Sequence, residues 1–169
     1  MKSAPLVRSA VLEDADGIAE VQVMSWRETY SGLVPDRLLG VGMRHARRRM
    51  WSSILSLDPV PGTVVVAERD GRVVGFAFAG SSNHPDARRG FDPARELHLF
   101  SIYLLAAEHG AGTGHALLEA ALGGSPAQLW VLIANDSART FYERHGFQTD
   151  GVELSDPDLD GLTEVRMVR

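Results

Sequence analysis

Ile102-Tyr103-Leu104-Leu105-Ala106-Ala107-Glu108-His109-Gly110-Ala111-Gly112-Thr113-Gly114-His115 begins as a strand-like run and breaks into three alternating glycines. It then leads into Ala116-Leu117-Leu118-Glu119-Ala120-Ala121-Leu122, a run of helix formers stopped by Gly123-Gly124. Strand, glycine loop and helix N-terminus in that order can hold a phosphate. Glycines let the backbone come close, and the first-turn N–H groups point free donors at an anion. The helix dipole adds a positive end. Three glycines alone also make an ordinary loop-to-helix turn. No Gly-Lys-Ser/Thr follows, so a P-loop is excluded. The Gly110-x-Gly112-x-Gly114 spacing fits a dinucleotide fingerprint poorly, and no acidic residue ends the next strand at Val131 to Ala134.

Outward from this stretch the chain alternates in period. Arg95 to Leu104 reads as a strand, and Gln128 to Ala134 as a buried one. Asn135-Asp136-Ser137 caps a helix from about Ala138 to His145, with Gly146 as its C-cap. Phe147 to Leu154 and Leu162 to Val168 close the chain as strands. Upstream, Asp70-Gly71 is a two-residue hairpin turn between Thr63–Arg69 and Arg72–Gly80. The polar segment Ser81 to Pro93 predicts a mobile surface loop. Leu6 to Ala10 is a short strand, and Asp14 stands where an N-cap belongs before a helix to about Tyr30. Ile18, Val21, Ser25 and Trp26 recur there at helical spacing. Pro35 marks a turn, and a second helix covers Met43 to Leu57 with Met43, Met50, Trp51 and Ile54 on one side. The order β-α-α-β-β-β-α-β-α-β-β has no linker or repeat and predicts one α/β domain over residues 1–169.

Composition narrows the function. The 169 residues suit one buried core, and with 44% hydrophobic and 23% charged residues the chain folds. No apolar run reaches the ~20 residues of a membrane span. Met1 to Pro5 has no secretory h-region, so the expected location is cytoplasmic. The absence of cysteine removes thiolate metal sites and a Cys nucleophile. Lys2 is the one lysine, which leaves Schiff-base chemistry no candidate in the core. A net charge of −5 argues against nucleic acid as a partner. Arg44, Arg47, Arg48 and Arg49 run against that balance and read as the solvated face of the second helix. His45, His84, His115 and His145 lack metal-ligand spacing, and no metal is assigned.

Two motifs, in order, carry a resemblance. Ile102-Tyr103-Leu104 followed by His109-x-x-Gly112-x-Gly114 resembles the acetyl-CoA loop of GNAT acetyltransferases. Asn135-x-x-Ala138-x-x-Phe141-Tyr142-x-x-x-Gly146-Phe147 is similar to the next strand–helix motif of that family. The likeness is close over residues 95–147 and elsewhere covers only the order of elements. It implies a mixed, mostly antiparallel sheet of six to seven strands flanked by four helices and splayed at the cofactor site. It also implies acetyl-CoA as co-substrate. Backbone groups of Ile102, Tyr103 and Leu104 would pair with the pantetheine arm. Amides of Gly110, Ala111, Gly112, Thr113, Gly114 and His115 would hold the diphosphate, beside His109, where the family usually has Arg or Gln. Asn135 and Ser137 would line the arm, and Tyr142 would face the sulfur as acid.

Acid–base arithmetic gives the remaining roles. An alkyl amine with pKa ~10.4 is free base in only about one part in 10³ at neutral pH, so a base is useful. Tyrosine (~10) is a weaker acid than a thiol (~8.5), which makes full transfer to the leaving thiolate uphill by roughly 2 kcal/mol. A hydrogen bond that strengthens as charge develops suffices. Glu96 and His98 lie two apart on a strand, are expected to share a face, and are the candidate bases. The resemblance places a catalytic Glu or His at position 98, and a backbone N–H near Leu104 to polarise the carbonyl. Glu28 and Tyr30, in Trp26-Arg27-x-x-Tyr30-x-Gly32-Leu33, are the candidate acceptor contacts, while Trp26 reads as core.

The expected activity is therefore N-acetylation of a primary amine on a small molecule or protein. A non-catalytic acyl-CoA-binding or sensing domain and a nucleotide-binding module stand as alternatives. Tyr142 with Glu96 and His98 favours the enzyme. The acceptor cannot be read from the motifs. A second copy of the chain is a candidate partner, with the Arg-rich helix and C-terminal strands as contact surfaces.

Overall fold

β-branched runs separated by turn residues form a seven-stranded sheet in the computed structural model, which describes residues 3–169. Lys2, and the argument drawn from it, lies outside the described residues. The strands are β1 (Leu6–Ser9), β2 (Thr63–Arg69), β3 (Arg72–Ser81), β4 (Leu97–Leu104), β5 (Ala127–Leu132), β6 (Gln148–Asp156) and β7 (Leu162–Val168). Their order is β1-β2-β3-β4-β5-β7-β6, antiparallel throughout except for β4 against β5. The β2–β3 turn puts Asp70 at φ 51° and Gly71 at φ 75°, the left-handed pair that a tight hairpin requires.

Two layers of helix cover the sheet. α1 (Ala15–Tyr30) and α2 (Val41–Leu55) lie on one face, where Ile18, Val21, Trp51, Val66 and Phe76 form a core. Trp51 is buried, and its indole N–H donates to Gln22 Oε1 at 2.9 Å. α4 (Thr113–Leu122) and α5 (Asp136–Arg144) cover the other face, with Leu117, Leu118, Leu129, Phe147 and Met167 between. α2 sits two residues earlier than the sequence suggests. Arg44 and Arg48 extend from it to Asp16, and Arg44 also to Glu20, so the basic face is exposed and partly neutralised by α1. Asp14 does not cap α1 with its side chain. Its carboxylate takes the Val11 N–H at 2.8 Å and the Arg8 guanidinium, starting a 3₁₀ turn over Leu12–Asp14.

Segment 81–93 is pinned, not mobile as expected. It holds a one-turn helix, α3 (Pro85–Arg88), with Ala87 buried and its carbonyl bound by Trp130 Nε1 at 2.8 Å. Arg89 then crosses to Asp156 and Glu164. Its polar residues find their partners in the fold as well as in water. Among the described residues no helix is long and apolar enough to cross a membrane.

One irregularity shapes everything that follows. β4 and β5 share only two rungs, Leu97↔Ala127 and His98↔Gln128. On β4's other side, Phe78 pairs with Ser101 and Ala79 with Leu99, which leaves Phe100 as a bulge. Beyond His98 the edge of β4 facing β5 has no strand partner among the described residues.

Candidate active site

The glycine loop meets this opening. Arg69 grips Glu108 with two hydrogen bonds, of 2.9 and 2.7 Å, and so ties the start of the loop to the end of β2. Gly110 (φ 79°) and Gly112 (φ 84°) turn the backbone, and Gly112 is the N-cap of α4 with no side chain capping it. The first-turn amides of α4 are therefore donors without a helical partner. A Cβ at Gly114 would stand 3.2 Å from the Phe141 ring, so glycine there lets α4 and α5 approach. Thr113 Oγ1 is buried at the same place without a hydrogen-bond partner among the described residues. His109 is exposed, its Nε2 2.9 Å from the Leu104 carbonyl, to which it donates. His115 is exposed on α4, its Nδ1 3.0 Å from His145 Nε2, while His145 Nδ1 donates to Phe141 O at 2.7 Å. Free amides at a helix start, an orphaned hydroxyl and an unpaired strand edge fit a ligand that has a diphosphate and an extended amide arm.

Tyr142 is placed by the end of its own helix. The Phe147 N–H bonds to the Tyr142 carbonyl and the Gly146 N–H to the Glu143 carbonyl, both at 3.1 Å, with Gly146 at φ 87°. That paired closure brings Phe147, fully buried, against the Tyr142 ring at 5.9 Å. At the other end Asn135 Oδ1 caps α5 through the Ala138 N–H, and its Nδ2 donates to the Tyr30 hydroxyl at 3.1 Å. The three tyrosines, Tyr30 from α1, Tyr103 from β4 and Tyr142 from α5, pack in different parts of the core, yet their hydroxyls lie near enough to act on one another electrostatically. Burial first, and then the neighbouring Tyr30 phenol, push the Tyr142 and Tyr103 hydroxyls above the usual phenol range. Tyr30 is raised too, by burial and by the Glu164 charge, against the opposing Asn135 bond. Trp26 packs edge-on against Tyr30 at 5.1 Å.

The expected base pair is not assembled. His98 is 3% exposed, and burial, with Arg89 and Arg166 nearby, lowers its pKa to about 4. Gln128, also buried, accepts the Ala94 and Arg95 N–H groups on Oε1 at 2.7 and 3.2 Å, which fixes its amide the right way round. Its Nε2 therefore donates to His98 Nδ1 at 3.3 Å, and the His98 proton sits on Nε2. Neither ring nitrogen is left to take a proton from an acceptor. Glu96 precedes β4 and is exposed, on the rim of a recess of about 360 Å³ with Ser82, Asn83 and Pro93. Glu96 lies just before the strand and is solvent-exposed, whereas His98 lies within it and is buried. Glu28 is exposed and spends Oε2 on the Ala106 N–H at 2.9 Å, holding the end of β4 and not standing free for an acceptor. Ser137 and Ala111 are exposed; Ile102, Tyr103 and Leu104 are half-buried along the open edge.

Known proteins resemble this chain in sequence and fold. The GNAT acetyltransferase domain matches residues 61–149. An uncharacterized N-acetyltransferase of Bacillus subtilis, YuaI, is 32% identical over 92% of this chain and 95% of its own length. The chain belongs to the GNAT acetyltransferase family. It is an N-acetyltransferase. An uncharacterized N-acetyltransferase of Mycobacterium tuberculosis is 31% identical to the enzyme over 52% of this chain and 54% of its own. Among solved structures, the PaiA N-acetyltransferase from Thermoplasma acidophilum in complex with coenzyme A superposes with a TM-score of 0.73 at 18% identity, over 99% of both chains. The histone acetyltransferase HPA2 and related acetyltransferase from Corynebacterium glutamicum gives 0.68 at 25% identity, over 98% of the enzyme and 96% of that chain.

Three side chains near this region were not singled out from the sequence. The Tyr103 hydroxyl lies near those of Tyr30 and Tyr142, although only its backbone drew notice. Gln128 and Glu164 were passed over. A polar or charged residue inside a strand of otherwise apolar inward positions was the signal available for both.

Proposed function

We propose that the enzyme transfers the acetyl group of acetyl-CoA to a primary amine by direct attack, in the cytoplasm. The observation that carries this is the opening between β4 and β5, bordered by the free amides of α4 on one side and Tyr142 on the other. The cofactor supplies an activated acyl carbon and a thiolate leaving group. The backbone of Ile102 to Leu104 offers it an unpaired strand edge, and the amides from Gly110 to His115 receive the diphosphate. Asn135 holds Tyr30, and the exposed Ser137, in the first turn of α5, lines the arm of the cofactor in this reading.

Tyr142 serves as hydrogen-bond donor to the departing sulfur. Burial makes its phenol a weaker acid than in water, so complete transfer lies further uphill than the roughly 2 kcal/mol between the free groups. A donor that stays protonated and strengthens its bond as charge develops matches that chemistry. A backbone N–H near Leu104 polarises the carbonyl. No side chain is assigned as base. His98 and Glu96 do not fit the role, and acceleration rests on holding the free amine against the thioester.

Melting temperatures measured with acetyl-CoA, ATP and NADH, followed by a thiol-release assay over an amine panel, test this reading. Acetyl-CoA at 100 times its Kd adds about 2.7 kcal/mol of stability, and Gly112→Val abolishes that gain. Equal stabilisation by ATP overturns the proposal in favour of a nucleotide module. Tight acetyl-CoA binding without thiol release on any amine overturns it in favour of a sensing domain.

A further inference from the structure

A charged cluster lies on the sheet face opposite α4, and the mechanism above does not use it. Val165 and Met167 of β7 face the α4 core, so Glu164 and Leu162 alternate onto the face that α1 covers. Glu164 stands opposite Leu132 of β5, and Leu132 packs with Tyr30, Val34 and Leu159 at the end of α1. The Glu164 charge bears on the Tyr30 hydroxyl that Asn135 holds. Arg89 binds both Glu164 and, at 2.8 Å, Asp156, with its guanidinium 5.5 Å from the Trp130 ring. Leu162, two residues from Glu164, lines an open recess of about 380 Å³ with Leu33, Val34, Pro35 and Leu159, and with the acids Asp36 and Asp160.

We propose that Glu164 is the carboxylate that orients the incoming acceptor, and that the acceptor is a cationic amine with an apolar body seated in the adjoining recess. The inference rests on the acetyltransferase reading and names its substrate class. An alkyl amine arrives almost wholly as ammonium at neutral pH. Arg89 faces both Glu164 and Asp156, which also contact each other, and Arg166, over the same Trp130 ring, is paired with Asp150, so three carboxylates meet two arginines and one negative charge is left toward a second cation. The groups bordering it are Asp156, Arg89, Tyr30 and the Arg166–Asp150 pair, with Asp36 and the Arg37–Asp160 pair at the recess. Glu164 is largely buried, and burial raises its pKa against the opposing Arg89, so a further cation gains more from it than from the exposed acids of the β6–β7 turn. Its leucine, valine and proline side chains offer contact to an apolar body, and Asp36 and Asp160 add negative charge beside it.

Isothermal titration of the CoA-bound full chain with 2-phenylethylamine and with its neutral counterpart 2-phenylethanol tests the proposal. The wild type binds the amine at least tenfold more tightly than the alcohol. Glu164→Gln brings the preference below threefold while the Kd for CoA stays within threefold. Arg89→Gln removes the competing cation, so it tightens amine binding several-fold. A tie that merely fastens segment 81–93 would lower the melting temperature of both variants and leave the preference intact, which overturns the proposal. Equal binding of amine and alcohol by the wild type does the same. Should Glu164→Gln fail to fold, Arg89→Gln decides: unchanged or weaker amine binding overturns the idea. If the wild type does not bind CoA, the acetyltransferase reading falls and takes this inference with it. CoA binding without charge preference overturns this inference alone.

Discussion

Lowering the pH should destabilise this enzyme through His98, and replacing that residue should remove the effect. An unfolded chain exposes an ordinary imidazole with pKa ~6.5, whereas the buried ring titrates at about 4. Between these values the unfolded state binds a proton that the native state refuses. Stability therefore falls as pH falls through that window, and no penalty exists above it. At 1.36 kcal/mol per pH unit, the full window amounts to about 3 kcal/mol, and the drop from pH 7 to pH 5 to about 2 kcal/mol. For a chain of this length that is a fall of roughly 4–8 °C in melting temperature. His98→Asn keeps an acceptor for Gln128 Nε2 and cannot titrate. Urea unfolding of both proteins at half-unit steps from pH 7.5 to 4.5 isolates the residue, since other groups cancel in the difference. The variant is less stable at pH 7, having lost ring volume, but the gap closes by about 2 kcal/mol at pH 5. Parallel curves would refute the reasoning, because His98 would then be as free to protonate in the native state as in the unfolded one.

Tyr142→Phe should lower kcat at least tenfold and leave the Kd for acetyl-CoA within twofold, since the lost bond matters only as charge develops; an unchanged kcat in a thiol-release assay counts against Tyr142 as donor. Gly62→Ala should cost about 3 kcal/mol, read as a fall in urea midpoint. Gly62 sits at φ 115°, and an added methyl group would overlap the Ala79 carbonyl oxygen. A variant with wild-type stability would mean that the backbone there shifts at little cost.

Local chemistry was legible in the sequence. Asp70-Gly71 named its turn, Asn135 its cap and Gly146 its helix end, because each is decided by residues a few positions apart. The glycine loop was legible for the same reason. What failed depended on register and burial. Glu96 and His98 looked like neighbours on one face, yet β4 starts between them, and His98 belongs to the interior. Ser81 to Pro93 looked like an untethered loop because its anchors lie far along the chain: Arg89 meets Asp156 67 residues later and Glu164 75 residues later. No window of local sequence contains such a pairing. The nearness of the three tyrosine hydroxyls was hidden likewise, with one ring each from α1, β4 and α5.

The two rungs between β4 and β5 make the sheet a pair of leaves joined at one corner. Tyr103 rides on the first leaf and Asn135 and Tyr142 on the second, while Tyr30, at the end of α1, packs against Leu132 of the second and is held there by Asn135. Gln128 sits at that corner. It is fully buried, it is one member of the second rung, and its amide fastens the Ala94–Arg95 backbone on one side and the His98 ring on the other. A residue with no part in the chemistry thus acts as the hinge pin from which the reacting geometry hangs.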